Sequence, residues 1–106
     1  MDSKKIDKKL EPFLKKLEKK FQPDTVILFG SRAQGTAWKQ SDYDFIVIST
    51  LFKEMHWLDR ISQIVQLWDL PYDIDVLPYT PQEFSKKKKE SSVVRTALKQ
   101  GICIAK

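Results

Sequence analysis

The sequence of 106 residues contains one cysteine, one histidine and three glycines, and these low counts exclude several kinds of protein. Cys103 cannot form a disulfide within the chain, so we expect a structural cysteine in a cytoplasmic protein. His56 has no cysteine or second histidine beside it, which argues against a zinc site. No apolar run approaches the roughly 20 residues that cross a bilayer, and no secretory signal opens the chain. We therefore expect a single soluble domain over residues 1–106 with no membrane partner.

The charge is unevenly divided, with 19 lysines and arginines against 14 acids and a formal net charge of +5. Such a balance is compatible with a polyanionic partner, either nucleic acid or the phosphates of a nucleotide. Many of the lysines, however, fill the polar face of an amphipathic N-terminal helix or form the run Lys86 to Lys89. A nucleic-acid groove needs cations interleaved with aromatic side chains. Nucleic acid is therefore not expected to be the main partner.

The spacing of apolar residues predicts an α/β (α+β) fold in which helices flank a small mixed sheet. Apolar residues at helical spacing predict helices over about 3–20, 52–68 and 91–100. Short β-branched runs predict strands over 25–29, 43–49, 73–79 and the terminal "ICIA", which we interpret as a buried strand. One or two helical turns are predicted within 31–37, followed by a loop "WKQS".

Three prolines qualify these boundaries. Pro12 either kinks the first helix or starts its second half, since proline is tolerated in a first helical turn. Pro78 either ends the third strand or marks it as an edge strand. Thr80, Pro81 and Glu83 have the pattern of a capping box, which predicts a further helix start after the third strand.

Two pairs of acids stand at the starts of predicted strands. Asp42 and Asp44 are separated by one residue, so they point to the same face of a strand with their Cα atoms about 6.5 to 7 Å apart. Asp73 and Asp75 repeat the spacing before another apolar run. Carboxylates gathered on one rim repel each other unless a cation lies between them. This pattern indicates a site for Mg²⁺ or Mn²⁺, and two such ions could clamp a phosphoryl group during its transfer.

The segment "GSRAQG" lies between the first predicted strand and these acids. Gly30 lets the backbone turn sharply beside a ligand, and the amides that follow it can bind phosphate oxygens. Ser31 adds a hydroxyl, and Arg32 adds either a phosphate ligand or a surface salt bridge. The segment is not a Walker A loop, because Thr36 and Ala37 occupy the positions where lysine and serine or threonine are required.

The run "LFGSRAQGTAWKQSDYDFIVIS" resembles the signature of the minimal nucleotidyltransferases of the DNA polymerase beta superfamily. That signature is a Gly-Ser pair, ten residues, Asp-x-Asp, and a third acid on a later strand. The resemblance continues through "FKEMHWLDRISQIVQLWDL" to "DIDVLPYTPQEF" and so covers most of the chain. Gln34 departs from it, because family members often carry a second basic residue there.

The resemblance implies a role for each site residue. Asp42 and Asp44 are expected to hold two Mg²⁺ ions, or Mn²⁺, while Gly30 and Ser31 bind the triphosphate of the ATP substrate. Asp75 is expected to hold the catalytic metal and to help deprotonate the acceptor hydroxyl. Asp73 is the rival for this third position, and Asp75 is favoured by its distance to "YTPQEF".

The aromatic residues leave alternatives open. Trp38 lies between the glycine segment and the acids, where it could contact a nucleotide or close the core. Trp57 and Trp68 lie eleven residues apart on one predicted helix, where a core or partner contact is favoured over base stacking.

The resemblance also implies a partner. Larger family members carry additional domains for their acceptor, and this chain has none, so the acceptor site is expected on another chain. Stand-alone members are typically paired with a HEPN-domain toxin to which they transfer AMP, which implies an antitoxin and a homo- or hetero-oligomer. The alternatives are a non-catalytic antitoxin or assembly subunit that acts by contact alone, or a nucleic-acid-binding module. The acceptor, the preferred base, the oligomeric state and the host organism cannot be inferred from the sequence.

Overall fold

The computed structural model describes residues 8–34 and 42–105, with the backbone alone described for Ser31, Gln34 and Ala105. The helices are α1 Glu11–Phe21, α2 Ser31–Gln34, α3 Trp57–Val65, α4 Pro81–Glu90 and α5 Ser92–Gln100. The strands are β1 Thr25–Phe29, β2 Tyr43–Ile48, β3 Ile74–Tyr79 and β4 Ile102–Ala105. Two short 3-10 turns, Lys8–Leu10 and Thr50–Phe52, complete the described secondary structure.

The four strands form one mixed sheet in the order β3-β2-β1-β4. β1 is antiparallel to both β2 and β4, whereas β2 and β3 are parallel. The parallel pair is connected through α3, since parallel neighbours need a crossover rather than a tight turn. Helices around a small mixed sheet confirm the predicted α/β (α+β) fold class.

Alternation along β2 divides the core between the two faces of the sheet. Tyr43, Phe45 and Val47 point to the face covered by α1 and α3. Ile46 and Ile48 point to the opposite face, where they pack with residues of α4 and α5. Asp44 has the same parity as Ile46, so its carboxylate lies on the α4 and α5 face.

The structure decides between the two alternatives that were predicted for each of Pro12 and Pro78. Pro12 lies in the first turn of α1, so it starts a helix instead of kinking one. Pro78 pairs with Val47 inside β3, which is an edge strand, so its missing N–H faces away from the ladder. The predicted start of the first helix, over residues 3–7, and the loop "WKQS" with Trp38 lie outside the described residues.

The helix predicted over 52–68 is shorter than the apolar spacing indicated. Ser49 caps the Thr50–Phe52 turn, and α3 begins only after His56, whose Nδ1 accepts a hydrogen bond of 3.3 Å from Leu58 N. Trp68 therefore lies beyond the end of α3, and its indole donates to the Tyr72 carbonyl at 2.7 Å. The prediction that Trp57 and Trp68 share a helix was wrong.

The predicted capping box at the start of α4 is confirmed. Glu83 N donates to the Thr80 hydroxyl at 3.2 Å, and Thr80 N donates to the Glu83 carboxylate at 2.9 Å. The same carboxylate forms a bidentate ion pair with Arg60, at 2.6 and 3.2 Å. One side chain therefore caps α4 and joins it to α3.

The terminal segment forms the strand β4, as predicted, but its burial is incomplete. Ile104 is buried, whereas Cys103 is only partly buried because β4 is the other edge of the sheet. No helix among residues 8–34 and 42–105 is long and apolar enough to cross a membrane.

Candidate active site

Gly30 directly follows β1 and begins the turn into α2. Its φ of +75° lies in the left-handed region that side chains other than hydrogen disfavour. A Cβ on this residue would also collide with Oδ2 of Asp44. Glycine is therefore required here both by the backbone conformation and by the close approach of a carboxylate, which explains why a glycine-poor sequence keeps one at this position.

Asp44 and Asp75 occupy directly paired positions on the parallel strands β2 and β3. Their side chains share the α4 and α5 face, where the negative charge of Asp75 acts on Asp44. Asp42 is exposed and precedes β2, near enough for its charge to act on Asp44. Asp73 precedes β3, and its backbone oxygen accepts a 2.9 Å hydrogen bond from Tyr43 N. Of the two rivals, Asp75 is the one that lies beside Asp44.

The electrostatics of Asp44 are unusual for an aspartate. Partial burial, followed by the negative charges of Asp75 and Asp42 and the hydrogen bond with Asp75, raises its pKa to about 6. Each of these causes disfavours the ionised carboxylate. A cation bound between the carboxylates would favour the ionised form and reverse the shift.

The donor chemistry of this rim fits a hard divalent cation such as Mg²⁺, which prefers carboxylate oxygens. Across the described part of the chain, however, no three His, Cys, Asp or Glu side chains are gathered into a closed ligand group. The arrangement is a pair of neighbouring carboxylates, Asp44 and Asp75, with the exposed Asp42 beside it. Like charges without a counter-ion separate, so a bound cation would have to draw Asp42 inward.

Arg32 adopts a geometry that the sequence did not predict. Its guanidinium carbon lies 4.4 Å from the ring centre of Tyr43 and 4.8 Å from that of Tyr72. These distances are typical of cation–π contacts. Tyr43 alternates with Asp44 along β2, so the stack lies towards the α1 and α3 face. Arg32 would have to leave it to contact a phosphate beside Asp44.

A cavity of about 350 Å³ lies beside Gly30, between the end of β1 and α5. Phe29 lines it, and Phe29 pairs with Asp44 in the register of β1 and β2. Phe29, Asp44 and Asp75 therefore form one row across three neighbouring strands. Sequence reasoning missed Phe29, although its position directly before Gly30 on a predicted strand was the available signal.

Several predicted features cannot be placed on this geometry. Gly30 and Ser31 begin the turn after β1 as expected, but only the backbone of Ser31 is described. The same limit applies to Gln34, the position that departs from the family pattern. Thr36, Ala37 and Trp38 lie outside the described residues.

Family comparison gives a match over residues 8–106 to the polymerase beta nucleotidyltransferase family. A protein of Methanocaldococcus jannaschii, provisionally named a protein adenylyltransferase, is 36% identical over 94 residues, which are 82% of this chain and 63% of that protein. The MntA protein of Haemophilus influenzae, with the same provisional name, is 36% identical over 75 residues, 68% of this chain and 66% of its own length. The chain thus spans slightly less than two thirds of these relatives.

Solved structures share the fold at low sequence identity. A provisionally named nucleotidyltransferase from Sulfolobus solfataricus superposes with a TM-score of 0.59 at 20% identity, over 86% of this chain and 71% of that one. A toxin–antitoxin complex crystallised with AMP-PNP gives 0.56 at 20% identity, over 88% and 70%. BolA1 from Arabidopsis thaliana gives 0.57 at 18% identity, over 74% and 98%.

The structural likenesses alone do not select a function, because proteins of different names match this fold equally well. The sequence match, by contrast, extends through both strands that carry the paired aspartates and through the glycine turn between β1 and α2. On that match, the chain belongs to the polymerase beta nucleotidyltransferase family.

Proposed function

We propose that this protein is a Mg²⁺-dependent nucleotidyltransferase that moves AMP from ATP to an acceptor hydroxyl on a partner protein. The observation that carries the proposal is the pairing of Asp44 with Asp75 beside Gly30, whose missing side chain leaves room for the Asp44 carboxylate. Carboxylates that repel each other do not stabilise a fold, so their presence indicates a functional role. Strongly shifted pKa values also cluster at functional sites. Membership of the family supports the same reaction class.

In this proposal the three aspartates divide the work. Asp42 and Asp44 hold two divalent ions, Mg²⁺ or Mn²⁺, and Asp75 shares in holding the catalytic ion. When bound, these ions neutralise the triphosphate and lower the pKa of the attacking hydroxyl. Asp75 lies on the edge strand β3, where it can accept the proton of an approaching hydroxyl.

The turn after β1 supplies the phosphate contacts. Gly30 and Ser31 present backbone amides at the start of α2, and Ser31 adds a hydroxyl. Arg32 is the weakest assignment, because a phosphate contact competes with its stack on Tyr43 and Tyr72. The protein's main contribution is to position the nucleotide. The acceptor oxygen bonds to the α-phosphorus, the bond to the β-phosphate oxygen breaks, and pyrophosphate leaves.

The acceptor is proposed to be a protein, and specifically a HEPN-domain toxin that the AMP group silences. Two relatives carry the name protein adenylyltransferase, and a structural relative is a toxin–antitoxin complex with AMP-PNP. These names support an antitoxin role, while the HEPN partner rests on the family resemblance. A hetero-oligomer with that partner, a cytoplasmic location and a single nucleotidyltransferase domain over residues 1–106 belong to the same proposal.

A non-catalytic antitoxin that neutralises its partner by contact is the second candidate. Four large apolar side chains favour it, since they are exposed on the described surface: Leu51, Leu58, Val65 and Val93. Exposed apolar side chains can mark a protein interface. The candidate does not explain the Asp44 and Asp75 pair, because contact alone needs no repelling carboxylates.

The test is incubation of the purified protein with Mg²⁺ and α-³²P-labelled ATP, together with the product of the neighbouring gene. We expect label on that product. Asp44→Asn and Asp75→Asn should each reduce labelling by at least about 100-fold, since each removes an interaction that stabilises developing charge.

Asp73→Asn is the matched control, because Asp73 is two residues from Asp75 but precedes β3. We expect it to retain most of the labelling. Loss of labelling in Asp73→Asn with retention in Asp75→Asn would assign the third position to Asp73. A complex that forms without label, with Mg²⁺ or Mn²⁺ and any of the four nucleotides, would favour the contact antitoxin.

A further inference from the structure

The cavity beside Gly30 opens on the same face of the sheet as the paired carboxylates. Phe29, which lines it, is the β1 partner of Asp44, and Asp75 lies on the far side of Asp44. Gly30 borders both the cavity and the Asp44 carboxylate. A ligand whose phosphates contact Gly30 can therefore place its remaining part in the cavity.

The chemistry of the cavity wall differs from that of the rest of the chain. The lining residues that the structure describes carry no charge, although 31% of the sequence is charged. Ser92, Thr96 and Gln100 line it from α5 at four-residue spacing, which places them on one stripe of the helix. The cations of that helix, Arg95 and Lys99, do not line the cavity.

A neutral wall is unsuited to phosphates, which require cations or backbone amides. It suits a flat ligand that combines an aromatic surface with hydrogen-bonding edges. Phe29 offers a ring for stacking, Val93 an apolar wall, and Thr96 a hydroxyl that donates and accepts. The volume of about 350 Å³ lies in the range of small-ligand sites.

We propose that this cavity binds the base and ribose of the nucleotide, with Phe29 as the stacking surface and the Ser92, Thr96 and Gln100 stripe as the polar wall. The inference rests on the proposed nucleotidyltransferase function and extends it to the nucleoside subsite. The acceptor then approaches from the opposite side of Asp44, along the edge strand that carries Asp75.

Filling the cavity tests the proposal. Val93 is 60% exposed, so Val93→Trp occupies the cavity mouth without disturbing the core. We expect it to weaken ATP binding by at least about tenfold, in the range of one lost base–aromatic stack. Inorganic tripolyphosphate has no nucleoside, so its affinity should stay within about twofold of wild type. Both affinities are measured by calorimetry with Mg²⁺.

Lys99→Trp is the matched control, because Lys99 is exposed on the same helix and does not line the cavity. It should leave ATP affinity unchanged. Thr96→Trp supplies a second, independent way to fill the cavity and should repeat the selective loss. Circular dichroism verifies that each variant is folded.

The outcomes separate this inference from the function on which it depends. If Val93→Trp and Thr96→Trp both bind ATP as wild type does, the nucleoside lies elsewhere and the inference is overturned while the proposed function stands. If they weaken ATP and tripolyphosphate equally, the cavity is a phosphate site and the inference is again overturned. If wild type binds neither ligand, the proposed function and the inference both fail.

Discussion

The two carboxylate clusters of this protein are built on opposite principles. Glu83 is matched by the buried Arg60, which also donates to the carbonyls of Met55 and Pro78 at 3.0 and 3.1 Å. The Arg60 hydrogen bonds hold the pKa of Glu83 below its usual value. Asp44, by contrast, faces Asp75 and Asp42, and its pKa is raised to about 6. The structural cluster, Arg60 and Glu83, stabilises the fold. The functional cluster, Asp44 with its acidic neighbours, raises the free energy of the folded chain.

The difference shows how a structural charge can be told from a functional one. Arg60 has hydrogen-bond partners on three segments, so the cost of burying it is offset. Asp44 is described with like-charged neighbours and a backbone turn shaped around its carboxylate. The like-charged carboxylates around Asp44 lower the stability of the fold, yet the Gly30 turn accommodates them. This combination indicates a functional site.

Breaking the structural cluster should have the largest effect on stability. Arg60→Met removes the guanidinium that donates to the Met55 and Pro78 carbonyls and to the Glu83 carboxylate, which keeps the Thr80 N–H. We expect the free energy of unfolding to fall by about 3 kcal/mol. Urea denaturation measures the change. Arg95→Met is the control, because Arg95 also donates to helix carbonyls but is exposed, and it should lose less than about 1 kcal/mol. Equal losses would contradict the structural role of Arg60.

Gly30→Ala, in the functional cluster, should lower the free energy of unfolding by about 2 kcal/mol. The substitution combines a left-handed φ with a collision at Asp44 Oδ2. Thermal unfolding measures the loss. In an Asp44→Ala background the collision is removed and only the backbone strain remains, so the same substitution should cost less. A cost that is identical in both backgrounds would mean that the carboxylate does not occupy the space beside Gly30.

Metal affinity should depend on pH through Asp44. A carboxylate must lose its proton to bind a divalent cation, and the pKa of Asp44 is about 6. Between pH 7 and pH 5 the affinity for Mn²⁺ should therefore fall by about tenfold. Electron paramagnetic resonance of free Mn²⁺ gives the affinity at each pH. A constant affinity across this range would contradict the proposed metal role of Asp44.

Asp44→Asn should stabilise the protein slightly at neutral pH. The pKa of Asp44 is raised in the folded state, so its penalty is absent below pH 4, grows as pH rises, and is complete above about pH 6. After allowance for solvent screening we expect a gain of about 1 kcal/mol at pH 8 and none at pH 4, measured by urea denaturation at both values.

Glu83→Gln is the opposite case and serves as the control. The pKa of Glu83 is lowered, so its contribution is present at neutral pH and is lost as pH falls through the folded-state value. Glu83→Gln should therefore lower the free energy of unfolding at pH 8, and the loss should be smaller at acidic pH. The same pH trend in both variants would contradict the contrast between the clusters.

The elements with strong local signals could be predicted from the sequence. The strand 25–29, the capping box at Thr80 and the stop before Gly101 depend on neighbours in the chain, and the structure places all three as predicted. The start of α3 was misplaced, because apolar spacing continues through a 3-10 turn that a cap separates from the helix. Apolar periodicity reports burial, and burial extends beyond the ends of a helix.

The sequence alone determined the reaction class to test and the residues to examine, because the Gly-Ser pair and the Asp-x-Asp spacing are local features of the chain. Only the tertiary structure decided that Asp75 rather than Asp73 lies beside Asp44, since that choice depends on the register of two parallel strands. It also placed Arg32 on two tyrosine rings and Phe29 beside a cavity under α5. Such contacts join residues far apart in the chain, and no spacing within one segment encodes them.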